Sequence, residues 1–195
     1  TRPGNDAIAR ALTEQLLDAG HAREDIALVE ASEFLTSELG QAKASVGWGS
    51  AIEVGGRPVD LARYFLEADA VINVPFLKAH PIAGMSCSML NLTHAIIRNP
   101  ARFHANGCSP AVAEIIGQKV VSDRIRLHIV NSLHVIIASG PGAQSEDSVP
   151  TGTIFVGQDP VAVDRLGLDH LSNERRKNGI NTPIDVPYLA AAGDS

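Results

Sequence analysis

Lys78 and His80 stand two residues apart at the end of the apolar run Ala70-Val-Ile-Asn-Val-Pro-Phe-Leu-Lys-Ala-His80. In an extended segment that spacing turns both side chains to one side. A lysine can hold a carboxylate or phosphate, and a histidine can move a proton or bind a metal. The run reads as a buried strand that stops at Pro75 and hands both residues to its carboxyl end. In open α/β sheets, ligands sit there.

The next segment, Gly84 to Ile97, reads as a helix. At ~100° per residue, Met85, Met89, Leu92 and Ile96 share one narrow arc and face a core. Cys87, Asn91 and His94 fall on the opposite side, gathering a thiol, an amide and an imidazole in a line. That side carries no Lys, Glu or Arg, so it is expected to line a cleft or an interface rather than bulk water. Asn99-Pro-Ala-Arg-Phe-His-Ala-Asn-Gly-Cys108 follows directly. The break at Pro100 lets the chain fold back and return His104 and Cys108 to the same cleft. His80, His94 and His104 are then the candidate metal ligands, with the two thiols as further donors. Their spacings match no recognised zinc pattern, and histidines with ordinary hydrogen-bond partners are the competing reading.

Asp164 falls among Val161, Leu168 and Leu171 on a helix opened by Asp159-Pro160. A carboxylate on an apolar stripe must be paired, protonated or at a cleft edge. It is the fourth candidate catalytic residue after Lys78, His80 and His104; Asn91, His94 and Cys108 are candidate ligand-binding residues. Asp159 caps the helix, with proline at its first position. His128 and His134 read as ordinary strand residues. No glycine-rich phosphate motif accompanies Gly140-Pro-Gly142, and no nucleophile elbow occurs. Hydrolysis through Cys108 activated by His104 would need that pair within hydrogen-bond reach.

The elements that must position these groups follow from pattern. Asn5 or Asp6 caps a helix to Ala19 with Ile8, Leu12 and Leu16 as its stripe. Ile26–Val29 reads as a strand, Phe34 to Gly56 as irregular, and Val59–Glu67 as a helical turn or two before the strand at Ala70–Val74. Ala111–Val121 reads as a helix. Leu127–Ala138 is β-prone but long, with a break expected at Asn131-Ser132. Gly140–Gly152 reads as a loop and Thr153–Val156 as a strand. Past Leu171 the chain turns polar, Arg175-Arg176-Lys177 reads as a solvated loop, and Tyr188–Ala192 forms a short helix. Alternating helix and strand predict a single α/β domain, residues 1–195, with a mainly parallel sheet flanked by helices. With 195 residues, 45% hydrophobic and 4% aromatic, the core must be aliphatic, which suits such a sheet. The net charge of −6 and the lack of a basic patch argue against nucleic acid. No apolar run approaches the ~18 residues of a membrane span.

The Val71–His80 run, Leu90-Asn-Leu-Thr-His94, the Asn99–Cys108 stretch, Asp159-Pro-Val-Ala-Val-Asp-Arg165 and Glu174-Arg-Arg-Lys-Asn-Gly179 together resemble the family catalogued as Domain of Unknown Function 362. The resemblance runs from the first helix to the last residues. It implies a domain found alone or joined to ferredoxin-like iron–sulfur modules, some members carrying twin-arginine export signals, with no common reaction. Two departures stand out: the family's Lys-Asn pair is here Leu90-Asn91, and the family's first strand is expected to precede Thr1. With only two cysteines, no iron–sulfur cluster is expected within this chain. The compartment follows from the leader: exported if a twin-arginine signal was removed, otherwise cytoplasmic. The expected function is a small-molecule or metal-binding domain with a redox or metal-dependent role. Lys78 would hold an anionic group and Asp164 would orient one imidazole. The alternative is a non-catalytic accessory partner of an iron–sulfur protein.

Overall fold

A computed structural model describes residues 5–29, 44–138, 140 and 147–193. Two compact units, Thr1–Gly47 and Trp48–Ser195, are taken in turn. The first carries helix α1, Asn5–Asp18, and a three-ten turn at Arg23–Asp25. The strand expected at Ile26–Val29 is reduced to one bridging residue, Ala27. Of the segment expected to be irregular, Phe34 to Gly56, residues 34–43 lie outside the described residues.

The second unit opens with a hairpin that the sequence reading missed. Strands β1, Trp48–Val54, and β2, Arg57–Ala62, pair antiparallel across Gly55-Gly56. Both glycines have positive φ, 56° and 71°, as a two-residue turn between right-twisted strands requires. Only then does helix α2 begin, at Arg63–Glu67, so the helix expected from Val59 starts four residues late.

Beyond it, β3, Val71–Asn73, and β4, Phe76–His80, lie end to end. Strand β5, Gly84–Ser86, folds back antiparallel on β4. Helix α3, Ser88–Ile96, leads through short turns to α4, Ala111–Gly117, and α5, Lys119–Ser122. Gln118 is extended between these two, which splits the single helix expected there. Strand β6, Ile125–Ile136, and β7, Ser148–Gly157, precede α6, Pro160–Lys177, and α7, Pro187–Gly193.

The sheet is organised on β6. Asn131 pairs with Phe76 of β4 on one side and with Ile154 of β7 on the other. His128 likewise lies between Asn73 and Gly157. β3 and β4 therefore run consecutively along the same edge of β6, both parallel to it, while β7 is antiparallel. The α/β class holds, with the parallel strands in a mixed sheet. Pro75 interrupts the run without ending it. Proline removes only a donor, and its carbonyl still accepts from Asn131 N at 2.8 Å. Likewise, Asn131-Ser132 does not break β6; the register slips between Ser132 and His134, and twelve residues stay one strand.

Helix α3 begins four residues later than the pattern suggests, because its cap is not local. Cys87 at the N-cap position makes no side-chain cap bond; the Asp164 carboxylate accepts from Ser88 N at 2.6 Å and Met89 N at 3.2 Å. Gly84 has to be glycine. Its φ is +75°, and a Cβ there would lie 1.8 Å from the backbone oxygen of Asp185. Gly84→Ala is expected to cost more than about 3 kcal/mol, strain plus a backbone clash. Gly55→Ala, with positive φ but open space, should cost about 1–2 kcal/mol. Equal urea midpoints for the two variants would refute the clash.

Leu77, Met85, Met89, Val130, Leu171 and Tyr188 lie in one core cluster, and Leu61, Phe65, Leu92, Ile96 and Ile115 in a second. Helix α3 contributes to both, so its apolar face is as expected, although Met85 reaches the core from β5. Helix α6 runs on through Arg175-Arg176-Lys177, where a loop was expected. Among the described residues, no helix is long and apolar enough to cross a membrane.

Candidate metal centre and adjoining cleft

Alternation along β4 buries Leu77 and Ala79 and leaves Lys78 and His80 half-buried on the other face. At the strand end, His80 turns back onto its own hairpin. Its Nδ1 accepts from Ile82 N at 3.3 Å and Ala83 N at 3.0 Å. Two backbone donors on Nδ1 put the ring proton on Nε2. Neutral His80 is thus a hydrogen-bond donor at Nε2, with no lone pair free for a metal. Burial, then His104 and Lys78, lower its pKa and keep it neutral.

His94 comes from the last turns of α3. Thr93 Oγ1 donates to Leu90 O at 3.1 Å and so faces His94 Nδ1, 3.3 Å away, as an acceptor. This fixes the His94 proton on Nδ1 and leaves Nε2 bare. Burial first, then His104, His80 and Lys78, bring its pKa down to about 4. His94 is thus a neutral imidazole whose outer nitrogen is already held, the arrangement metal-binding imidazoles adopt.

The chain folds back after Asn99, which takes the left-handed conformation (φ 54°, ψ 58°) that asparagine adopts more readily than most residues. His104 then lies over His94 with ring centroids 5.2 Å apart, and its Nε2–H donates to the bare His94 Nε2 at 3.1 Å. Unlike at His80, no backbone donor among the described residues occupies its Nδ1, so the His104 proton can move there and leave both Nε2 atoms to a metal. Two imidazole nitrogens on one tetrahedral zinc stand about 3.3 Å apart, at ~2.05 Å from the ion. Cys108 completes the group: the ligand atoms of His94, His104 and Cys108 all lie within 4.8 Å of one another. Asn106, Gly107 and Cys108 all have positive φ, a tight backward turn that presents the thiol. Cys108 is buried, which raises its pKa; that disfavours it as a free nucleophile, whereas a metal would take it as thiolate.

Of the expected donors, the structure brings the ligand-capable atoms of His94, His104 and Cys108 together, without His80. His80 stays beside it, 5.8 Å from His104 between ring centroids. Lys78 is near enough for its charge to act on both His80 and His94.

Three of the anticipated residues lie elsewhere. Asn91 donates to Asn73 Oδ1 at 3.0 Å, joining a buried network rather than the donor cluster. Asp164 is fully buried and also accepts from Tyr188 Oη at 3.4 Å; none of its hydrogen bonds goes to an imidazole. It positions α3, and so His94, from below. Cys87 lies against Asp164 and Gly167, not on the cleft side, because the helix starts after it. His128, read as ordinary, is fully buried. Its Nδ1 meets Ser88 Oγ and Asn73 Nδ2; a fully buried histidine on a strand has no local signature.

Beyond the carboxyl ends of β4 and β6 lies a cleft of about 900 Å³ whose walls include His80, Asn106, Arg175, Ile184, Asp185 and Pro187. His80 lines this cleft and its ring also contacts that of His104. Arg175 was expected only as part of a solvated loop and Asp185 was not singled out, since nothing local in the sequence connects either to position 80.

Residues 45–169 match the model of a protein family described as a domain of unknown function (DUF362). No curated protein matches the chain.

Proposed function

Since the chain belongs to the family described as Domain of unknown function (DUF362), whose description prescribes no reaction, we propose a function from the site itself. The domain is a metal-dependent enzyme for a small molecule, with His94, His104 and Cys108 as metal ligands. One observation carries the reading: two imidazole Nε2 atoms 3.1 Å apart beside a thiol, one of them with its proton held away on Nδ1. Two nitrogens and one sulfur suit zinc or another borderline-soft divalent ion, and three protein ligands leave a position for substrate or water. A metal bound there would supply Lewis-acid activation of an oxygen in that position.

The chain's own groups have separate tasks. Lys78 contributes a fixed positive charge that favours an anionic substrate group. His80, held by Ile82 N and Ala83 N, offers its Nε2 proton toward the cleft and acts as a neutral donor. Asp164 fixes the start of α3. The accessory-partner alternative predicts no convergence of histidines, and the convergence of three favours the enzyme. The test is equilibrium dialysis of metal-stripped protein against zinc and cobalt. About one equivalent bound is expected, and no saturable binding of either would defeat the reading.

A further inference from the structure

The cleft beside His80 has a chemical character of its own. Two of its charged wall residues, Arg175 and Asp185, are of opposite sign. Arg175 Nη1 donates to Ile137 O at 2.6 Å and Nη2 to Thr182 O at 3.3 Å. Its Nε–H is buried with no acceptor among the described residues. The guanidinium is therefore held in place by neutral carbonyls, with its charge unmatched by any carboxylate among the described residues. Ile180, Pro183, Ile184 and Pro187 make the adjoining wall apolar. The third polar element, His80, is neutral and donates from Nε2.

We infer that this cleft binds a small monocarboxylate with an apolar body. Its carboxylate would lie toward Arg175, its hydrocarbon part against Ile180 and Ile184, and its far end toward His80. The inference rests on the proposed metal-dependent function only for what happens at that far end; carboxylate binding itself needs no metal. A planar guanidinium with donors to spare matches a carboxylate fork. A phosphate dianion fits worse, because one guanidinium must serve it while Asp185 repels it. A volume of about 900 Å³ lies within the range of small-molecule sites.

The probes are 3-methylbutanoate, its neutral isostere 3-methylbutanamide, and inorganic phosphate, titrated calorimetrically into metal-stripped and zinc-loaded protein. The acid is expected to bind at least about tenfold more tightly than the amide or phosphate in both forms. Arg175→Met should weaken the acid by about tenfold or more and leave the amide unchanged. Because Arg175 also ties down the Thr182 segment, Ile184→Phe provides a second test. It should block the acid by filling the cleft while the melting temperature without ligand stays near wild type. Equal binding of acid and amide, preference for phosphate, binding of none of the three, or undiminished binding in Ile184→Phe would each overturn the inference. Acid binding in a protein that takes up no zinc would retain the cleft and discard the metal centre; zinc uptake without acid binding would do the reverse.

Discussion

Alanine at His94, His104 or Cys108 should weaken zinc binding by two to three orders of magnitude, whereas His80→Ala should change it by less than about tenfold. The size follows from dividing about 10–16 kcal/mol for a four-ligand zinc site among its ligands. The contrast follows from tautomers. Ile82 N and Ala83 N hold the His80 proton on Nε2, while Thr93 leaves Nε2 of His94 bare. Competition with a chromophoric chelator measures the affinities. Cobalt gives a sharper readout, since the near-ultraviolet thiolate charge-transfer band should vanish in Cys108→Ala and persist in His80→Ala. Equal losses for His80→Ala and His94→Ala would restore the three-histidine site that the sequence suggested.

The second large effect is on stability, at Asp164. Burial pushes its carboxyl up to about 7 from 3.8, although hydrogen bonds from Cys87, Ser88 N, Met89 N and Tyr188 favour the charged form. A group whose folded pKa is raised contributes stability fully present below the unfolded value and lost as pH rises through the folded one. Between pH 4 and 7 the unfolded chain has released this proton and the folded chain retains it, so the contribution declines. At ~1.36 kcal/mol per unit the loss is about 4 kcal/mol. Asp164→Asn removes the effect, so its stability relative to wild type should climb by about that amount across the same range. His94 and His128, each lowered to about 4, act in the opposite direction: their contribution is lost as pH falls from 6.5. They are common to both proteins and cancel in the difference. Urea unfolding at half-unit pH steps measures it, and parallel profiles would show that Asp164 does not titrate in this window.

Features written in neighbouring residues were legible in the sequence, and those made by distant ones were not. Asp159 caps α6 from next door, accepting from Val161 N and Ala162 N, and that start was placed correctly. The start of α3 depends on a carboxylate in another helix, Asp164, so periodicity alone extended it back over β5 and carried Cys87 to the wrong side. The Gly55-Gly56 turn was local and readable, but the residues around it were taken as irregular. His94, His104 and Cys108 lie within fifteen residues with one proline break, which is why their meeting could be foreseen. The exclusion of His80 turned on which ring nitrogen meets two backbone donors, and spacing carries no trace of that. Arg175 and Asp185 reach the cleft from the far end of the chain.

The arrangement of the sheet on β6 has a kinetic consequence. Phe76 must find Asn131, and Val71 must find Ile125, so the parallel edge forms only after long loops have closed. Such topologies fold slowly for their size, since chain entropy is lost before any contact repays it. Residues 94–108 lie wholly inside those loops. A ribosome-bound chain halted before residue 125 would carry all three donors and lack the strand that organises the sheet beside them. Its affinity for zinc should be that of an unstructured peptide until β6 emerges, which titration of a fragment ending at residue 124 would measure.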